Sequence, residues 1–73
     1  MPALKVFITG ASSGIGLSLA HEYSRQGAIL GLVARRRDLL LSLKKELNTA
    51  TFIYVADVRD QLAMDKAAQD FML

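Results

Sequence analysis

The sequence predicts an α/β chain, the N-terminal half of a doubly wound parallel sheet in the order β-α-β-α-β-α. Three observations predict it. Short apolar runs alternate with longer stretches of helical period, the middle run lacks the polar alternation of a half-exposed strand, and a glycine-rich turn joins the first run to the first helical stretch. With 73 residues, 52% hydrophobic and 22% charged, the chain holds one domain at most. Residues 1–73 are therefore read as one partial domain.

Leu4, Lys5, Val6, Phe7 and Ile8 form a run rich in β-branched and aromatic residues that stops at Thr9-Gly10, the signature of a first strand over residues 4–8. From Gly14 to Gln26 the period changes. Ile15, Leu19, Ala20 and Tyr23 recur on one helical face, and Gly27 supplies the C-terminal stop. Residues 28–34 read Ala-Ile-Leu-Gly-Leu-Val-Ala, a strand buried on both faces. Asp38 is expected to open a second helix, with Leu39, Leu43 and Leu47 facing the core, Lys44-Lys45 at the negative end of its dipole and Asn48 as the stop. Residues 51–56 form the third strand and Asp57 ends it. Asp60 then caps a third helix with Met64, Ala67, Ala68 and Phe71 inward.

Right-handed crossovers between successive strands give a three-stranded parallel sheet. A doubly wound sheet extends outward from its first strand in both directions, but only one direction is supplied here, so residues 4–8 become an apolar edge. The many apolar residues fit a domain whose other half would cover some of them.

The composition narrows the function classes. A mean hydropathy of +0.28 excludes a disordered tail. No apolar run reaches the roughly 18 residues of a spanning helix, and Lys5 interrupts the apolar start before a secretory core can form. A soluble cytoplasmic protein without a membrane partner is expected, and the lack of cysteine fits a reducing compartment. Nine basic against seven acidic residues give a net charge of +2, too small to point to nucleic acid. The basic run Arg35-Arg36-Arg37 has no interleaved aromatic residues for base stacking.

The chemistry lies in Thr9-Gly10-Ala11-Ser12-Ser13-Gly14-Ile15-Gly16, spaced G-x-x-x-G-x-G between strand and helix. Glycines permit a tight turn and close backbone approach, and a helix N-terminus offers unpaired N–H groups to a pyrophosphate. Ser12 and Ser13 add hydroxyl donors. A nucleoside-triphosphate loop would need Gly-Lys-Ser/Thr, but Leu17 follows Gly16. The G-x-G-x-x-G loop can start at Gly14 and Gly16 but meets Leu19 at its last position.

This loop, the spacing of the strands and Asp57-Val58 resemble the N-terminal part of the short-chain dehydrogenase/reductase family over the whole chain. The resemblance implies a Rossmann-type fold that binds a nicotinamide dinucleotide. Residues Gly10, Ser12, Ser13, Gly14, Ile15 and Gly16 would lie under the pyrophosphate, and Asp57 and Val58 against the adenine. An acidic residue at the end of the second strand would bind the ribose hydroxyls and repel a 2′-phosphate. This chain has Ala34 there, followed by guanidinium groups suited to a phosphate. NADP(H) is therefore expected over NAD, with Arg35 as the main contact and Arg36 as a helper, while Arg37 is read as solvated rim. Charge-assisted bonds of about 1.5–3 kcal/mol would give roughly a ten- to more than hundredfold preference.

Other candidates have plainer roles. A carboxylate such as Asp57 can also serve its own turn, Asp60 is a helix cap, and His21 reads as a surface residue with no metal-ligand partner nearby in the chain. Catalysis in the resembled family uses Tyr-x-x-x-Lys with a serine and an asparagine. Here Gly27 lies four residues after Tyr23 and Val58 four after Tyr54, while the one asparagine, Asn48, stands outside an Asn-Asn-Ala-Gly turn. No catalytic or metal-binding residue is assigned. The expected function is the cofactor-binding segment of an NADP(H)-dependent short-chain oxidoreductase, in which a full-length parent would bind the small-molecule substrate and could form a homo-oligomer. The alternative is a stand-alone dinucleotide-binding or regulatory module.

Overall fold

The computed structural model describes residues 4–72. Along them run β1 (Lys5–Thr9), α1 (Gly14–Arg25), β2 (Ile29–Ala34), α2 (Arg37–Glu46), β3 (Thr51–Val55) and α3 (Gln61–Met72). The strands pair in parallel in the order β1-β2-β3, which is the half of a doubly wound sheet that the sequence predicts.

The two-residue period of the strands separates two faces. Val6 and Ile8 stand level with Leu30 and Leu32, and these with Thr51 and Ile53. With Ala20 of α1 and with Leu40, Leu43 and Leu47 from α2 and its end, this face builds the main core. Phe7, Gly31 and Phe52 form a row on the opposite face. There α3 lies over the sheet through Phe71, whose ring centroid is 5.8 Å from that of Phe7 and 6.2 Å from that of Phe52. A Cβ at Gly31 would come within 2.8 Å of the Phe71 ring, so the row admits only glycine there. Coverage on both sides accounts for the complete burial of Leu30, Leu32 and Val33 in β2. The order leaves β1 and β3 as edges, with Leu4, Phe52 and Val55 exposed.

Two helical faces differ from the expected ones. In α1, Ile15 is 80% exposed and Leu19 41% exposed, while Ala20 is fully buried and Leu17, Tyr23 and Ser24 turn inward. The small Ala20 lies at the centre of the buried face, and the Ile15–Leu19 edge faces outward. In α2 the leucine run 39–41 leaves the phase of the helix open. Packing selects Leu40, Leu43 and Leu47, and Leu39 is exposed. That helix begins at Arg37 with Arg36 at the N-cap position; Asp38 sits in its first turn beside the positive end of the dipole.

Polar side chains fasten the connections. The buried Ser24 hydroxyl accepts a hydrogen bond from the Asn48 N–H at 3.1 Å, and the Thr49 hydroxyl donates to the Ala28 carbonyl at 2.6 Å. Together they hold the α2–β3 turn against the end of α1. Lys5 Nζ donates to the Phe71 carbonyl at 3.0 Å and lies 5.4 Å from that ring's centroid, tying β1 to the end of α3. Asp60 caps α3 as expected, with its carboxylate accepting from the Ala63 N–H at 3.1 Å. Among the described residues no helix is long and apolar enough to cross a membrane.

Candidate functional site

Parallel pairing brings the C-terminal ends of all three strands to one rim, where doubly wound folds bind ligands. A cleft of about 440 Å³ opens there. The turn after β1 contributes Gly10, Ser12 and Ser13, the end of β2 contributes Ala34, Arg35 and Arg36, and the end of β3 contributes Ala56, Asp57, Val58 and Arg59. Gly14, Ile15 and Gly16 do not line this cleft; they form the first turn of α1.

The loop after β1 is shaped by its glycines. Gly10 and Gly14 have φ of +65° and +57°, in the left-handed region that side chains with a Cβ adopt at a cost. A Cβ on Gly16 would overlap the Gly10 carbonyl oxygen and stand 3.2 Å from Ala11 Cα, so only glycine lets the helix start against the strand end. The Ala11 N–H donates to the Val33 carbonyl at 3.1 Å and anchors the loop to β2. Ser13 occupies the N-cap position in extended conformation but makes no side-chain capping bond. No acidic residue stands in the first turn of α1. The helix therefore presents its free N–H groups and positive end without a carboxylate of its own to satisfy them.

Three guanidinium groups line the cleft in different states. Arg36 donates to both oxygens of Asp38, Nε at 3.2 Å and Nη2 at 3.0 Å. This bonding holds the exposed Asp38 carboxyl below its ordinary range. Arg59 is clamped on Asp57, with Nη2 2.8 Å from Oδ2. Arg35 takes part in none of the ion pairs among the described residues. Arg37 lies outside this cleft and lines a groove along β3.

Asp57 does serve its own turn, since its Oδ1 accepts the Arg59 N–H at 2.9 Å. The Arg59 side chain, then this backbone bond, and more weakly the charge of Arg35 bring the Asp57 carboxyl down to about 2. Arg59 was not among the sequence-predicted site residues. Its signal was an arginine two residues after a strand-end aspartate, a spacing that closes across a turn.

Other ionisable residues stand apart. The fold brings Glu46 Oε2 to 3.9 Å from His21 Nε2, a partner that chain spacing does not reveal. No group of three or more metal-ligand side chains occurs among the described residues. The Tyr54 hydroxyl donates to Asp70 at 2.7 Å, outside the cleft. Burial first, and the Asp70 carboxylate second, push this phenol up to about 12, the direction opposite to that of a tyrosine base.

Comparison with known proteins agrees with this geometry. A family profile described as short chain dehydrogenase matches residues 4–72. A 3-dehydrosphinganine reductase of Arabidopsis thaliana is 45% identical over 69 residues, covering 89% of this chain and 21% of the relative. The chain thus spans about a fifth of the length of the curated relatives it matches. The crystal structure of L-sorbose reductase from Gluconobacter frateurii, complexed with NADPH and L-sorbose, superposes with a TM-score of 0.81 at 33% identity, over 93% of this chain and 27% of that one. A 3-ketoacyl-(acyl-carrier-protein) reductase from Brucella melitensis, complexed with NADH, gives 0.84 at 26% identity over 94% and 28%. The sheet order, the glycine loop that starts α1 and the profile match together place this chain in the short-chain dehydrogenase family.

Proposed function

We propose that this chain is the cofactor-binding segment of an NADP(H)-dependent short-chain oxidoreductase. The observation that carries this reading is the state of Arg35: at the end of β2, where a ribose carboxylate would exclude a 2′-phosphate, stands a guanidinium that lines the cleft without a carboxylate partner among the described residues. The solved relatives support the coarser reading of a nicotinamide dinucleotide, since one neighbour holds NADPH and another NADH.

The residues fit such a cofactor. The Gly10–Gly16 loop, with the Ser12 and Ser13 hydroxyls and the free N–H groups of Gly14, Ile15 and Gly16, suits the pyrophosphate. Arg35 suits the 2′-phosphate directly. Arg36 must share itself between the phosphate and Asp38, an exposed pair that solvent screens and that yields readily. That difference supports Arg35 as the main contact and Arg36 as the helper. Asp57, ionised above about pH 2, can only accept hydrogen bonds, so the adenine group it would meet is the exocyclic amino. Val58, half-exposed beside it, offers an apolar surface to the ring. The bound nicotinamide would supply the hydride chemistry between a carbonyl and an alcohol. This chain's part is to hold and orient the cofactor, and the acid/base group would come from the parent's remaining length.

Arg35→Ala and Arg37→Ala, compared in NADPH titrations of the chain, test the assignment. Arg35→Ala is expected to weaken binding about tenfold or more, and Arg37→Ala to leave it within about twofold. Equal losses would reduce the effect to general positive charge and overturn the role of Arg35.

A further inference from the structure

The proposed contact between Asp57 and adenine meets a difficulty in the bond geometry. A carboxylate offers about four lone-pair directions. At Asp57, Oδ1 accepts the Arg59 N–H at 2.9 Å and Arg59 Nε at 3.2 Å, while Oδ2 accepts Nε at 3.2 Å and Nη2 at 2.8 Å. Three N–H donors of one residue thus engage both oxygens, the single Nε hydrogen being shared between them. An adenine amino group therefore meets a carboxylate whose two oxygens are already engaged by the Arg59 side chain, and competes with it for them.

We propose that Arg59 is a specificity-determining residue of the cofactor site, which competes with the adenine amino group for Asp57 and thereby relaxes the site's discrimination among purine bases. The inference rests on the assignment of the cleft to the adenosine end of a dinucleotide. Three features of the chain support the competition. Arg59 lines the same cleft as Arg35 and Asp57. Its side chain is 79% exposed, so it can leave the carboxylate for solvent without disturbing packing. The turn does not depend on that side chain, because the Arg59 backbone N–H also bonds Asp57 Oδ1 and the Asp60 N–H bonds the Asp57 carbonyl at 2.9 Å. In the intact chain the amino group shares Asp57 with the guanidinium, whose charge and bonds already satisfy most of the carboxylate, and gains little. Without the guanidinium it meets an ionised acceptor with open lone pairs and gains a charge-assisted bond.

The test compares two probes, NADPH and its deamino form with hypoxanthine in place of adenine, which presents a carbonyl where adenine has the amino group. The two should bind the intact chain within about threefold of each other, and Arg59→Ala should favour NADPH by roughly tenfold. Loss of a nearby cation weakens both probes alike and cancels in the ratio. Arg59→Lys, with one compact ammonium in place of a planar fork, should fall between. An unchanged or smaller ratio in Arg59→Ala, with circular dichroism showing the fold retained, overturns the inference while leaving the cofactor assignment intact. Failure of both probes to bind either chain overturns both together. Arg35→Ala separates the cases further, because it lowers the affinity for both phosphorylated probes equally and leaves their ratio unchanged.

Discussion

The α carbon of Gly16 faces the carbonyl of Gly10 so closely that a methyl group on it would overlap the carbonyl oxygen and stand 2.8 Å from the carbonyl carbon. The first turn of α1 thus starts against the end of β1, next to the loop residues Gly10, Ser12 and Ser13 that line the cleft. Gly16→Ala should destabilise the chain by about 1–3 kcal/mol, as overpacking against backbone does, and weaken NADPH binding beyond the stability loss. Urea denaturation followed by circular dichroism, with NADPH titration of the same protein, checks it.

Gly14 fails for a different reason when substituted. Nothing crowds a Cβ at this position, but its φ is +57°. Gly14→Ala is expected to cost about 1–2 kcal/mol through backbone strain alone. Gly14→Asn should recover part of that loss, because asparagine tolerates the left-handed region. Equal losses in the two variants would show that strain is not the cause.

The Ser24 hydroxyl ties α1 to the turn before β3 by accepting the Asn48 N–H. Ser24→Ala removes the acceptor from a buried position and leaves that N–H unsatisfied, a loss of about 1–3 kcal/mol. The midpoint of thermal unfolding reads it directly. A shift no larger than that of an exposed control such as Ser42→Ala would contradict the assignment.

Asp57 and Tyr54 act at opposite ends of the pH scale. Asp57 is held at about 2, below the value of an unfolded aspartate, so its contribution to stability is present above about pH 4 and fades as the pH falls towards 2. Tyr54 is held at about 12, so its contribution is present below about pH 10 and fades as the pH rises through 12. Asp57→Asn should flatten the acid limb of the stability profile and Tyr54→Phe the alkaline limb. Ultraviolet titration of the phenolate should show Tyr54 ionising late.

Much of this was legible in the sequence because the period of the strands and the glycine spacing are local signals. The unbroken apolar run of β2 announces burial on both faces, and the spacing of Gly10, Gly14 and Gly16 announces the loop. The helical faces were less legible. Leu39, Leu40 and Leu41 stand in a row, and only the lie of α2 on the sheet selects Leu40. Ile15 and Leu19 share the expected period, yet the face that packs is the one with Ala20, and they are exposed. In the candidate site, Arg35, Arg36, Asp57 and Val58 could be named from their positions at strand ends. Their states could not, because Asp38 engages Arg36 while Arg59 engages Asp57, and those pairings depend on the turns that follow the strands.

The central claim is that the rim of this sheet selects the phosphorylated nicotinamide cofactor. Its most direct test is the ratio of the dissociation constants for NADH and NADPH, measured on the chain itself. If only part of the population is competent to bind, both affinities fall by the same factor and the ratio survives. The account predicts a ratio of about ten or more in favour of NADPH. Equal binding of the two cofactors would contradict it.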